Sequence, residues 1–305
     1  MATAISTSAF AAAATVAVTE AFPVSAGTVS VETSSPKKKI SLNRIAHVFY
    51  THKDYDSQRK FLLDFGFSVA EESADVVYFR GYGTQPFVYC LKRGDEDSFD
   101  GAAFVVDSLE DLELATKLPK ATQIYHLKTP GGGKCVTFYD AADNFPFHLV
   151  YGQSLVEMTN TFPELAYNFP TSKHRSVNRT QRFEKGPAPV HKLGHFGLCV
   201  TDFAAAYKFY TENFNFKASD LVYDVKGGKE RDMTCFFHLD RGMEVVDHHS
   251  FFIFEGPKYH VHHSSFEVHD FDAQSLGHDW LREKGWENCW GVGRHVMGSQ
   301  IFDYW

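Results

Sequence analysis

The chain reads as an α+β protein of four βαβββ modules, paired into two domains whose mixed sheets curl into cups, with the last module incomplete. Three observations predict this. The segment Lys192-Leu-Gly-His-Phe-Gly-Leu-Cys-Val-Thr-Asp202 returns as Val261-His-His-Ser-Ser-Phe-Glu-Val-His-Asp270, so that His195 falls on His263. Each copy ends in an aspartate suited to cap a helix, and apolar residues at helical spacing follow it. Beyond each helical stretch come short runs rich in β-branched and aromatic residues, the composition of strands.

Taken in order, the first module opens with a strand at Ile45-Ala-His-Val-Phe-Tyr-Thr51. A helix with Phe61, Leu62 and Phe65 follows, then strands at Val76–Phe79 and Val88–Leu91. The second begins at Gly101-Ala-Ala-Phe-Val-Val-Asp107, continues with a helix carrying Leu109, Leu112 and Leu118, and closes with Val136–Tyr139, a turn near Asp143-Asn144, and Pro146–Tyr151. In the third, Asp202 caps a helix with Phe203, Tyr207, Tyr210 and Phe214, and strands lie at Thr234–Phe237 and Ser250–Phe254. In the fourth, Asp270 precedes Phe271, Leu276, Trp280 and Leu281, and one further strand lies at Ile301–Tyr304.

Side chains alternate across a strand. Phe196, Leu198 and Val200 therefore share one face with Ser264, Phe266 and Val268 of the sister strand, and this face seeks a helix. His195, Gly197 and Cys199 share the other with His263, Ser265 and Glu267, and this face lines the cup. By the same register His262 points to the helix side, in a packing or supporting role. His47 stands at the equivalent place of the first module and is expected to be a packing or satisfied polar residue, because Gly101 occupies that place in the second and cannot ligate a metal.

A chain of 305 residues, 44% hydrophobic and 15% aromatic, can bury one or two cores, and two module pairs make two the natural count. The expected organisation is a disordered tail over 1–40, a domain over 41–152, a proline-rich connection over 153–190 with Pro163, Pro170, Pro187 and Pro189, and a metal-binding domain over 191–305. A net charge of −8 argues against a nucleic-acid surface, and the short Lys37-Lys-Lys39 run does not overturn that. Five cysteines without CxxC spacing suit reduced thiols and a cytoplasmic location. The first segment, rich in Ala, Ser and Thr, lacks a basic run ahead of its apolar stretch, and no stretch approaches the ~20 apolar residues that would span a bilayer.

Two histidines at one position of two sister modules face each other across a cup, which makes His195 and His263 a candidate metal pair. Further histidines stand in His248-His249-Ser250 and at His295, and Tyr304 lies near the end of the last strand. His238, His260, His269 and His278 are assigned surface or structural roles.

On these residues the third and fourth modules resemble the catalytic domain of the type I extradiol catechol dioxygenases, within the vicinal oxygen chelate superfamily. The likeness runs at the level of modules from about Leu42 to Trp305 and is specific in His195, His249, His263, His295 and Tyr304. It implies Fe(II), or in some members Mn(II), held by two histidines and a glutamate with positions left open for substrate and oxygen. His195 and His263 match the two histidines, His249 the acid/base residue, and His295 and Tyr304 the groups that hydrogen-bond the catecholate. The implied substrates are a catechol, bound through both hydroxyl oxygens, and dioxygen; the product is a ring-opened semialdehyde, no organic cofactor is needed, and the chains assemble as homo-oligomers.

The resemblance also implies a glutamate on a strand after Tyr304, at a place equivalent to Leu149 and about ten residues further on. No residue of the sequence occupies it, so a shortened chain with an open sheet edge is expected, ahead of a degenerate relative that no longer catalyses. Glu267, Glu255, Glu244 and Asp247 are expected to be solvated or structural rather than substitutes for it. Two other functions compete: a glyoxalase-like metal-dependent isomerase, whose site would draw on both module pairs or a dimer, and a metal-free binding protein of the bleomycin-resistance type. Phe251, Ile253 and Val296 are expected to line the pocket.

Overall fold

The computed structural model describes residues 38–159, 169–174, 177, 183–226 and 229–305; most of the expected tail and part of the expected connection lie outside the described residues. Its element order follows the modules. The first comprises β1 (Leu42–His52), α1 (Tyr55–Phe65), β2 (Ser68–Glu72), β3 (Val76–Arg80) and β4 (Tyr89–Arg93); the second, β5 (Ser98–Val106), α2 (Leu109–Ala115), β6 (Tyr125–His126), β7 (Lys134–Tyr139) and β8 (Pro146–Tyr151). The third comprises β9 (Val190–Val200), α3 (Phe203–Asn213), β10 (Phe216–Lys226), β11 (Lys229–Leu239) and β12 (Phe251–Glu255). The fourth has β13 (His260–Val268), α4 (Phe271–Glu283), β14 (Gly291–Arg294) and β15 (Ile301–Tyr304).

Each helix begins where a side-chain oxygen meets an otherwise unpaired backbone N–H. Asp202 accepts from the Ala205 N–H at 2.9 Å and Asp270 from the Ala273 N–H at 2.8 Å, as the repeat predicts, and Ser108 caps α2. Helix α1 ends at Gly66, at φ 120°, where a Cβ would sit 1.7 Å from the Ala188 carbonyl oxygen. Only glycine lets the segment entering β9 lie this close, and the Val190 N–H then donates to the Gly66 carbonyl at 3.1 Å.

Strands run in the order β2-β3-β4-β1-β5-β8-β7-β6 in one sheet and β10-β11-β12-β9-β13 in another. The β1/β5 and β9/β13 pairs are antiparallel, and β4 and β12 lie parallel to β1 and β9. In the first half β8 extends the sheet beyond β5 and joins it to β7. In the second, β13 is the sheet edge, and β14 and β15 pair with each other as a separate ribbon.

Where two cores were expected, one continuous buried cluster runs through both halves. The cause is aromatic reach. Phe196 of β9 lies 6.0 Å from Phe104, 5.7 Å from Phe147 and 4.9 Å from Phe251, ring centre to ring centre, and Phe138 of β7 stacks on Phe214 at the end of α3. The back of β13 likewise packs on the first half: Phe266 meets Phe67 edge-on at 4.8 Å, and the Ser264 hydroxyl is 2.7 Å from the Tyr50 hydroxyl. The sheets thus share their apolar backs; the second leaves its cup face open, whereas the first fills its own with His47, Phe87, His148 and a small cluster of Ala46, Ala103, Cys135 and Val150. Among the described residues no helix is long and apolar enough to cross a membrane, and all five cysteines are free thiols, four of them buried.

Candidate metal centre

His195 and His263 sit on adjacent strands but not directly opposite each other. His195 pairs with Ser265, and His263 with Gly197. This diagonal relation on one sheet face is within reach of long side chains, and it brings the two Nε2 atoms to 3.0 Å. Two nitrogens bound cis to one ion at about 2.1 Å would stand about 3.0 Å apart, so the pair already has the spacing of one coordination edge. Protein enclosure pulls both pKa values well below the ordinary histidine value, and neighbouring histidines push the same way. Neutral imidazoles keep their lone pairs, which metal binding requires.

Beneath them lies Phe252. The β12/β9 register sets Phe252 against Gly197, and a Cβ at 197 would fall 1.9 Å from the phenyl ring. Glycine at that point lets the ring cross β9 and support His263 at 5.1 Å and His195 at 6.1 Å. Phe251 and Ile253, expected in the pocket, point the other way into the core, and Val296 is 89% exposed on a loop. That expectation was one residue out of register on β12.

Across the cup, the His249 ring is 4.1 Å from the His195 ring, and burial draws its pKa down to about 4. The Tyr304 ring is 5.2 Å from that of His263, and its hydroxyl is 3.4 Å from His295 Nε2. Burial pushes the Tyr304 phenol up to about 12, so it stays a donor at neutral pH. All five candidate residues line one cavity of about 550 Å³. His248, Gln274, His278 and Asp303 line it too, although strand alternation and the repeat point to none of them there. Their signal was present only for His248, as the neighbour of His249.

Two other expectations change. A slip in the β13/β9 pairing between Val261 and His263 leaves His262 without its own partner, and this bulge takes it off the helix side. It is exposed, and its Nδ1 lies 2.6 Å from His263 Nδ1. In the first half, Leu149 points into the core at 1% exposure, and His148 is the β8 residue that faces the cup. His148 fills the space that Gly101 leaves, since a Cβ at 101 would meet its Nε2 at 2.6 Å. His47 nearby is packed between Phe49 and Phe87, but its Nδ1 has no hydrogen-bond partner, against the expectation of a satisfied residue.

Among the described residues no third histidine, cysteine or carboxylate joins the pair as a metal-holding group. Glu267 and Asp247 both pair with Lys192, at 2.7 Å and 2.8 Å; Glu255 pairs with Arg231, and Glu244 with Arg241. The two neutral imidazoles present fit two ligands of a divalent ion, and three further polar side chains, His249, His295 and Tyr304, line the same cavity.

Residues 192–303 match the family model of the Glyoxalase/Bleomycin resistance protein/Dioxygenase superfamily. The match falls on the third and fourth modules, and the repeated modules and cupped sheets of the rest of the chain are similar in kind. Its relatives include metapyrocatechase 2 of Cupriavidus necator, 27% identical over 113 residues, a match that spans 37% of this chain and 32% of the relative. A longer match, 24% identical over 277 residues and covering 87% of this chain and 85% of the relative, is to the biphenyl-2,3-diol 1,2-dioxygenase of Pseudomonas sp. strain KKS102. Among solved structures the fold is similar to the Mn(II)-bound glyoxalase of Novosphingobium aromaticivorans, with a TM-score of 0.69 at 24% identity over 87% of this chain and 78% of that one.

Proposed function

We propose that the chain opens the ring of a catechol beside its hydroxyl pair, using dioxygen, at a divalent iron held by His195 and His263. The observation that carries this reading is the 3.0 Å Nε2 pair set across one cavity from His249, His295 and Tyr304. Its long relative is named as a dioxygenase of an aromatic diol, which supports the same substrate class. A divalent iron, when bound, supplies the one-electron chemistry through which a catechol and dioxygen react. A carboxylate is the expected third ligand, and manganese is the expected substitute metal.

The residues of the chain do the rest. His249 enters neutral and offers a lone pair to a catechol hydroxyl proton. A catecholate beside it would raise its pKa by opposite charge, which suits it to hold that proton and return it to the departing oxygen. Tyr304 and His295 reach the same side of the cavity and donate hydrogen bonds to the catecholate oxygens. Phe252 packs against both imidazoles and holds their rings in place. Both histidines of the pair come from the third and fourth modules, which favours this reading over an isomerase site shared between module pairs. The cytoplasm is the proposed location and a homo-oligomer the proposed assembly.

The test is oxygen uptake by the protein loaded anaerobically with Fe(II) and mixed with simple and 3-substituted catechols. Uptake matched by a visible ring-fission product supports the reading. Catechol binding without uptake supports a binding protein, and turnover of a thiol–oxoaldehyde adduct supports an isomerase.

A further inference from the structure

A hydrogen-bond chain leads away from the cavity behind His249 and ends on a carboxylate. The β10/β11 register slips between Ala218 and Asp220, so Ser219 has no partner of its own on β11. Bulges of this kind re-aim side chains. Here the Ser219 hydroxyl donates to the His248 backbone carbonyl and also lies 2.7 Å from His238 Nδ1, while Asp220 Oδ2 stands 2.9 Å from His248 Nε2. His248 Nδ1 in turn lies 3.0 Å from His249 Nδ1.

The donors can be assigned in sequence. A carboxylate only accepts, so the contact with Asp220 places a proton on His248 Nε2. A singly protonated His248 then has a bare Nδ1, which can only accept. The proton between the two rings must therefore belong to His249 Nδ1. A neutral His249 is left with its lone pair on Nε2, the nitrogen on the far side of the ring from this chain.

We propose that Asp220 is a positioning residue: through His248 it fixes the Nδ1–H tautomer of His249, so that Nε2 is bare for the substrate proton. Its catalytic consequence rests on the dioxygenase reading, whereas the tautomer itself does not. An asparagine at 220 could donate as well as accept. It would let His248 carry its proton on Nδ1 and turn His249 to the opposite tautomer. Partners of this kind behind reacting or ligating histidines commonly matter about 10–100-fold.

The tautomer can be read directly by two-bond 1H–15N correlation spectra of the full metal-free chain labelled at histidine, assigned with His248→Gln and His249→Gln variants. The expected result is the Nε2–H form for His248 and the Nδ1–H form for His249, with His249 moving to the Nε2–H form or a mixture in Asp220→Asn. An Nε2–H His249 in the unmodified chain, a doubly protonated His248, or a His249 tautomer unmoved in Asp220→Asn would overturn the inference. In the iron-loaded protein Asp220→Asn should lower kcat about 10–100-fold while KM and iron content hold, with recovery in Asp220→Glu; a moved tautomer with unchanged kcat would overturn the positioning role. A chain that opens no catechol at all refutes the function proposed above, and the spectra still decide the tautomer.

Discussion

Gly197→Ala tests the packing beneath the metal pair. The added Cβ would lie 1.9 Å from Cε1 and Cζ of Phe252 and 2.5 Å from Cδ1. Carbon atoms settle at about 3.5–4.0 Å, so the ring must retreat by roughly 1.6 Å or more. It has little room, being 5% exposed and bordered by Phe236, stacked at 5.4 Å, and by His263 at 5.1 Å. Forced overpacking of this kind costs about 1–3 kcal/mol, and here the strain falls on the ring that supports both imidazoles. Urea unfolding should show that loss at unchanged m, together with weaker divalent-metal binding. In a Phe252→Ala background the obstacle is gone, and the same substitution should cost only a few tenths of a kcal/mol, giving a coupling of about 1 kcal/mol or more. Additive effects in the double variant would refute the argument, because the clash would then not be with Phe252.

Burial pulls His148 down to about 4 from an unfolded value of 6.5. The unfolded chain therefore binds the extra proton in that window, and the stability from keeping His148 neutral is complete above the window and lost as pH falls through it. Linkage puts the loss at about 2 kcal/mol between pH 7.5 and pH 5, and His148→Gln should remove that part of the pH dependence of unfolding. Asp140 accepts the backbone N–H groups of Ala142, Asp143, Asn144 and Phe145 and the Tyr210 hydroxyl of α3. Asp140→Ala strands these donors where the two halves meet and should cost about 3 kcal/mol in chemical denaturation; a change below 1 kcal/mol would contradict the assigned bonding. Tyr304→Phe should raise the KM for catechol about tenfold or more, as loss of a hydrogen bond to a charged oxygen implies, with iron content unaffected. An unchanged KM would remove Tyr304 from the substrate.

The repeat made the modules, helix caps and histidine pair legible, because strand alternation and capping are local and His195 and His263 share a register. What stayed hidden depends on pairing between distant strands. Bulges at His262 and Ser219 break alternation without marking the sequence, so strand alternation puts His262 on the wrong side and gives no sign of Asp220. Phe251-Phe252-Ile253-Phe254 is apolar on both faces and gives no parity; only Gly197 opposite Phe252 decides which ring enters the cup. The same one-residue ambiguity put Leu149 where His148 stands. The joining of the two halves by one large buried cluster was hidden for a related reason, since composition sets how much apolar surface is buried but not whether two sheet backs meet.

The central claim is that His195 and His263 grip one ion together, and anaerobic Fe(II) titration of the metal-free chain by calorimetry, with metal analysis of the product, tests it most directly. The account predicts one ion per chain, with binding weakened at least about 100-fold in both His195→Ala and His263→Ala and retained in His249→Ala. Undiminished binding in either of the first two variants, or equal loss in all three, would contradict it.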